Sequence, residues 1–383
     1  MSYPAEAESF RSEVRAVLAQ ELPPGWAGIG AIAGRQDAER FAAQWRQVLY
    51  RRGLLGITWP PEHGGRELSR LHQVVLMEEL ARAGAPFGEH TDLFGIKMLG
   101  STLLRWGTAE QRRRFLPRIL SGEDRWCQGF SEPDAGSDLA SLRTVAVREG
   151  DEYVLTGHKV WTSYSDAAAW CLVLARTDPT VPKHRGLSAF AVPMRQPGIE
   201  QRPLKMINGI TREFGEVLFD GARVPAANMI GEPGEGWALA MTIVSHEREP
   251  GELGYVARYR KLVKELVDVV RERPSDYGPE QRRDVGWALI EAEMLRLHVC
   301  RRLSARLDGI SHGPEGSVDK LLMTAAEQAV GHAALSVGGP QRNPGDDTWL
   351  RVYLYSRAQS VMGGTSQIQR NLVAGRILEL PTS

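Results

Sequence analysis

The chain has 383 residues, with 47 basic against 47 acidic side chains and a formal net charge of zero. That length accommodates two or three domains with a sizeable core, and the even charge leaves a nucleic-acid or anionic-membrane role without support. The three cysteines, Cys127, Cys171 and Cys300, are scattered, odd in number and without metal-ligand spacing; reduced thiols are expected, with no disulfide frame and no structural metal.

The start, MSYPAEAESFRSEVRAVLAQEL, carries acids in an amphipathic pattern instead of a basic end and an apolar core, and no window approaches a membrane span. A soluble, cytoplasmic protein is expected. From about residue 5 to 120, apolar residues recur at three and four positions, as in FAAQWRQVLYRRGLLG and LHQVVLMEELARAG, which is the helical period. In GTAEQRRRFLPRILSGE, Thr108 and Gln111 fit a capping box, and the arginines read as a solvated face. Between about 122 and 235 the runs become short and β-rich (YVLTGHKVW, WCLVLART, GLSAFAVPM, FGEVLFDGARVP), divided by Gly, Pro and Asp. From Gly236 long helical segments return, at lengths suited to a bundle; RERPSDYGPEQRRD reads as a long exposed connection. The expectation is an α+β multidomain chain: a helical domain over 1–121, a β domain over 122–235 built as a small barrel or stacked sheets, and a helical bundle over 236–383.

The segment CQGFSEPDAGSDLASL (127–142) is a turn-rich loop. Its backbone N–H groups and its short polar side chains, Ser131, Ser137 and Asp138, suit a flat polar ring or a phosphate. About twenty residues on, GHKVWTS places Trp161 two residues from Ser163, so both side chains share one strand face. An aromatic slab beside a hydroxyl suits a stacked heteroaromatic cofactor. Near the end, GGTSQIQRN offers Thr365 as a helix N-cap, with Gly363 and Gly364 leaving the free N–H groups open to a ligand.

With these motifs in order, joined by GITWPPEHGG near the front and EVLFDGARVPAANMIGEPGEGW at the β-to-helix junction, the chain resembles the acyl-CoA dehydrogenase family over nearly its whole length. The resemblance implies a helical N-terminal domain, a barrel-like middle β domain and a C-terminal four-helix bundle. It also implies bound FAD. Phe130, through its backbone, and Ser131 would bond the flavin ring near its reactive nitrogen. Trp161 would cover the ring, and Ser163 would reach its polar edge. Gly136 and Ser137 would lie near the phosphates or the acyl-CoA chain, and Thr365 and Gln367 near the pyrophosphate and ribityl side. Phe130 stands where a smaller aliphatic residue is usual.

The family reaction needs a carboxylate over the substrate α-carbon. The residue before Gly364-Thr365 is usually that glutamate; here it is Gly363, which would instead line the substrate. Some members carry the base on the first helix of the C-terminal bundle within a Glu-Arg pair, and TIVSHEREPGEL has Glu247 and Arg248 in that register. The resemblance therefore implies Glu247 as base, with Arg248 at the loop or CoA; Glu249 and Glu252 are the competitors. Pro250 removes an N–H, so a kink or end is expected just after Glu247, and an apolar pocket would raise the proton affinity of a carboxylate there.

At the adenine end the resemblance thins. The usual Arg-x-x-Phe-Gly segment is absent, and Leu335 stands near the usual Gln; Arg282 or Arg283 are the candidate substitutes. The motif texture is similar to an actinobacterial subgroup in steroid and side-chain catabolism, some of whose members work as mixed complexes. The resemblance implies an acyl-CoA or carrier-bound acyl substrate and electron-transfer flavoprotein as acceptor. It also implies a homo-oligomer (dimer or tetramer) or a hetero-oligomer with a related chain. Rival readings are a flavin-dependent oxidase or N-hydroxylase on this fold, and a non-catalytic partner subunit.

Overall fold

The computed structural model describes residues 3–89, 91–248, 254–307, 314–338 and 348–381, without the side chains at 35, 211, 212, 247, 248, 254, 306, 307 and 348. The first third holds α1 (Ala5–Glu21), α2 (Arg35–Arg51), α3 (Arg70–Ala83), a π-helical stretch (Leu93–Gly100) running into α4 (Ser101–Trp106), and α5 (Ala109–Ser121). Eight strands follow: β1 (Trp126–Gly129), β2 (Val145–Glu149), β3 (Glu152–Ser163), β4 (Trp170–Arg176), β5 (Leu187–Pro193), β6 (Ile199–Lys205), β7 (Thr211–Pro225) and β8 (Met229–Ile230). The rest is helical: α6 (Gly236–Arg248), α7 (Gly254–Glu272), α8 (Pro279–Leu307), α9 (Gly316–Gly338), α10 (Thr348–Ala358) and α11 (Ser366–Arg376). Among the described residues no helix is long and apolar enough to cross a membrane.

Packing divides the chain into two compact units: Met1–Leu22 with Arg70–Ala85 and Glu247–Ser383, and Pro23–Ser69 with Pro86–His246. The second unit contains the sheet, ordered β6-β7-β3-β2-β4-β5-β8, with β1 added in parallel along β4. Strands β4 and β5 are buried along nearly their whole length, and the inward faces of β3 and β7 (Tyr153, Leu155, Val217, Phe219) meet those of β4 and β5 (Cys171, Val173, Phe190, Val192) in one apolar cluster. Tyr153 lies 4.9 Å from Phe190, ring to ring. The sheet therefore wraps over its own core like a barrel. Cys127 and Cys171, distant in sequence, are directly opposed in the β1–β4 register and both buried; burial pushes the Cys127 thiol well above its usual range.

Around this sheet, α5 begins with the expected capping box: Thr108 Oγ1 accepts from the Gln111 N–H and Gln111 Oε1 accepts from the Thr108 N–H. The Gln111 amide then donates to the carbonyls of Ala227 (2.8 Å) and Met229 (2.7 Å), fastening the helix to the β8 entrance. The front motif GITWPPEHGG is a packing device. Trp59 is buried, and a Cβ at Gly100 would collide with its indole. In the other unit, α1 and α3 are joined by Arg11 on the buried carboxylate of Glu79 at 2.5 Å, and α7 meets α9 through Tyr259 Oη donating to Glu327 at 2.5 Å.

The α7–α8 connection is shorter than its composition implies. Only residues 273–278 separate the two helices, because Pro279 opens α8 at a position where a missing N–H costs nothing.

Candidate flavin and acyl-CoA site

In the sheet-containing unit, β1 ends at Gly129, and Phe130 continues it with its side chain buried. Ser131 is half-buried, and its carbonyl accepts from the Val160 N–H at 2.9 Å. That bond ties the loop to β3 one residue before Trp161. The register slips between Lys159↔Val217 and Thr162↔Gly215, so two β3 residues oppose Glu216: a β-bulge centred on Val160 and Trp161. At the bulge Trp161 takes φ +60°, a left-handed conformation that costs an indole-bearing residue roughly 1–3 kcal/mol and persists only where the surroundings over-determine it. The result is an outward-facing ring. Trp161 is 63 % exposed, and Ser163 is exposed beside buried Val160 and Thr162. Trp161 is not a core indole; its ring contact is edge-on to Phe214 at 6.2 Å.

The loop itself stays open. Gly136, Ser137 and Asp138 are exposed, and a Cβ at Gly136 would meet nothing within 4 Å. Asp138 pairs with Lys183 at 2.8 Å. The loop is held at its C-terminal end, where Arg176 donates to the Ala140 carbonyl at 2.7 Å and to that of Leu142 at 3.2 Å.

Two further residues in these motifs escaped notice at the sequence level. Lys159, fully buried, donates to the Phe130 carbonyl at 3.0 Å and to Glu132 Oε1 at 2.8 Å. Glu132 also accepts from the backbone N–H groups of Arg143 (2.6 Å) and Thr144 (2.8 Å). Burial pushes the Lys159 amine down to about 8 even though Glu132 pulls the other way. Burial raises the Glu132 carboxyl, but the lysine charge and the donated hydrogen bonds outweigh it and hold it below its usual range. Both groups are therefore charged at neutral pH. Little in the sequence distinguished them, since Glu132 stands near Asp134 and Asp138 and Lys159 beside His158.

Helix α6 starts tight against β5, since a Cβ at Gly236 would lie 2.7 Å from the backbone of Leu187 and Ser188. Leu239, Ala240 and Ile243 are completely buried, and Trp106 Nε1 donates to Thr242 Oγ1 at 3.1 Å. Glu247 and Arg248 form the end of this helix by backbone, one turn after Ile243. Their side chains lie outside the described residues, as do Glu249, Pro250 and Glu252 entirely.

In the helical unit, Gly363 (φ +62°) and Gly364 (φ +92°) form the turn into α11, and Thr365 Oγ1 caps it by accepting from the Ile368 N–H at 3.2 Å. Gln367 is exposed. Gln369, also missed from sequence, is fully buried, and its amide donates to the carbonyls of Gly363 (3.1 Å) and Gly364 (3.3 Å). Among the described residues its Oε1 has no hydrogen-bond partner. Arg283 and Leu335 line one open cleft with Glu280, Asp284, His332 and Ser336, whereas Arg282 directs its guanidinium to the carbonyls of Tyr277 and Pro274.

Within the sheet-containing unit, the exposed Trp161 beside Ser131 and the open loop without side-chain bulk fit a flat flavin ring by the chemistry of their donors; within the helical unit, taken by itself, the capped helix N-terminus behind two glycines suits a phosphate. Comparison with known proteins agrees. Residues 4–123, 127–222 and 234–378 match the N-terminal, middle and C-terminal domains of acyl-CoA dehydrogenase. The chain is 40 % identical over 383 residues to acyl-CoA dehydrogenase IpdE1 of Mycobacterium tuberculosis, covering 98 % of each. Among solved structures it is similar to the Tcur3481-Tcur3483 steroid ACAD (31 % identity, TM-score 0.81, 100 % of this chain and 99 % of that one). It is also similar to the ChsE4-ChsE5 complex from Mycobacterium tuberculosis (29 % identity, TM-score 0.81, 100 % and 99 %). This chain belongs to the acyl-CoA dehydrogenase family.

Proposed function

We propose that this enzyme uses FAD to introduce a trans double bond between the α- and β-carbons of a bulky acyl-CoA. The observation that carries the reading is Trp161, held outward at φ +60° one residue from the Val160–Ser131 hydrogen bond. A strained, exposed aromatic beside a polar loop is what a stacked ring requires. A bound flavin would supply the hydride acceptor for the substrate β-hydrogen. Glu247 takes the α-proton, so the electron pair left on the α-carbon closes the double bond. Phe130 (backbone), Ser131 and Ser163 bond the ring, and Trp161 covers it. Gly136 and Ser137 approach the phosphates or the acyl-CoA chain, Thr365 and Gln367 the pyrophosphate side, and Gly363 and Arg248 the substrate.

A bulky substrate is supported by the steroid ACAD relative. The reduced flavin would need an electron acceptor, for which the family resemblance implies electron-transfer flavoprotein. Assembly with a second chain, either a copy of this one or a related chain, is supported by an apolar stripe on α8, where Trp287, Ile290, Met294 and Leu297 recur at helical spacing and are 46–58 % exposed. Anaerobic mixing of the purified protein with a panel of acyl-CoAs tests the reading: a bulky polycyclic thioester is expected to bleach the flavin and yield the 2-enoyl product. A wild-type protein that stays colourless after refolding with excess FAD overturns it.

A further inference from the structure

The buried Lys159–Glu132 pair stands outside the contacts just assigned to ligands, yet it lies directly behind them. Phe130 follows the last β1 residue paired in the ladder with β4, and its carbonyl is met by the lysine ammonium. Glu132 begins the loop and, through the N–H groups of Arg143 and Thr144, also gathers the chain where the loop returns to β2. A two-way backbone bridge between Glu132 and Ala135 closes the first turn of the loop. On β3, Lys159 is two residues before Trp161, and its stem packs on Gly129, where a Cβ would lie 3.4 Å from Lys159 Cγ. One ion pair therefore joins the end of β1, both ends of the loop and the strand leading into the bulge.

Apolar residues of similar size would fill this space without the desolvation cost of two charges. A methionine, however, could not hold the Phe130 carbonyl, and a neutral Glu132 replacement could not accept three donors at once. The arrangement fixes the separation between Ser131 and Trp161, the two sides of the proposed ring site, and gives the strained Trp161 backbone a rigid neighbour.

We propose that Lys159 and Glu132 are positioning residues: as a buried ion pair they set the spacing of the Phe130–Ser131 edge against the Trp161 ring, and so the affinity and electronic environment of the bound flavin. This rests on the flavin reading above. The test compares Lys159→Met, the double variant Glu132→Gln/Lys159→Met, which leaves no buried charge unpaired, and a core control in the same sheet, Val224→Ala. Each is measured for FAD affinity, for the visible spectrum of bound FAD and for quenching of indole fluorescence on FAD binding. Both pair variants are expected to bind FAD at least tenfold more weakly than the control at matched thermal stability, with shifted flavin bands and reduced quenching. A purely structural role would lower stability and leave the spectrum of the bound fraction unchanged. If the double variant matches the control in affinity and spectrum, the proposal is overturned. The same holds if the double variant fails to fold where Val224→Ala folds, since the pair is then a folding requirement. A wild-type protein unable to bind FAD would instead overturn the flavin reading.

Discussion

At the scale of single residues, Gly363 is the position that most constrains the chemistry. It has no side chain, so in the proposed reaction the proton acceptor would come from another segment, and Glu247 at the end of α6 is the proposed base. Glu247→Gln removes a base while keeping size and hydrogen-bonding capacity. FAD and acyl-CoA binding should stay near wild type while the rate of flavin reduction in stopped flow falls about 10²–10⁴-fold. Glu249→Gln should be mild, and wild-type reduction by Glu247→Gln would place the base elsewhere. Lys159 yields a second prediction. Its amine is depressed to about 8 from 10.5, so between those values the unfolded chain holds a proton that the folded chain has released. Stability from this site is then fully present above the unfolded value and is lost as pH falls through about 8. Denaturant midpoints measured between pH 7 and 10.5 should show a rising component in wild type that Lys159→Met lacks.

At the scale of elements, helix ends carry much of the placement. Thr108 and Gln111 cap α5, but their substitutions should differ in cost. Thr108→Ala removes one cap contact and should destabilise by about 1 kcal/mol. Gln111→Ala also strips the carbonyls of Ala227 and Met229 of their side-chain donor, which should bring the loss to roughly 2–3 kcal/mol. Equal midpoint shifts in urea would contradict the bridging role. The same contrast governs α11. Its Thr365 cap was legible in sequence because Gly-Gly-Thr announces a turn and a helix start. The clamp by Gln369 was not, since nothing local distinguishes a buried amide at 369 from an exposed one at 367.

For the whole molecule, the proposed assembly rests on the absent adenine-end motif in the sequence and on the exposed apolar stripe of α8. Arg282 is engaged with its own connecting segment, while Arg283 lines an open cleft with Leu335, which makes Arg283 the proposed substitute for the missing adenine-end contacts. Arg283→Ala is expected to weaken FAD binding in the oligomer without altering reduction by substrate once FAD is bound. Solution mass with the flavin-to-chain ratio checks the assembly: one flavin per chain in a homo-oligomer is expected, one flavin per two chains would indicate a mixed complex, and a monomer with full flavin would refute the need for a partner.

The sequence by itself determined the class of each segment, the cap at Thr108, the turn at Gly363 and Gly364, and the ordered motifs that carry the family. These depend on neighbours within a few residues, where propensity, periodicity and turn chemistry act. Tertiary structure alone decided that α1 and α3 cluster with the C-terminal helices while α2, α4 and α5 cluster with the sheet, because periodicity reports that a segment is a helix and not which face it will meet. It also decided that Cys127 lies opposite Cys171, that Trp161 sits on a bulge facing outward, and that Lys159 reaches Glu132. Each joins residues brought together by strand pairing over long sequence separations, and the desolvation that makes the Lys159–Glu132 pair matter exists only once the barrel has closed around it.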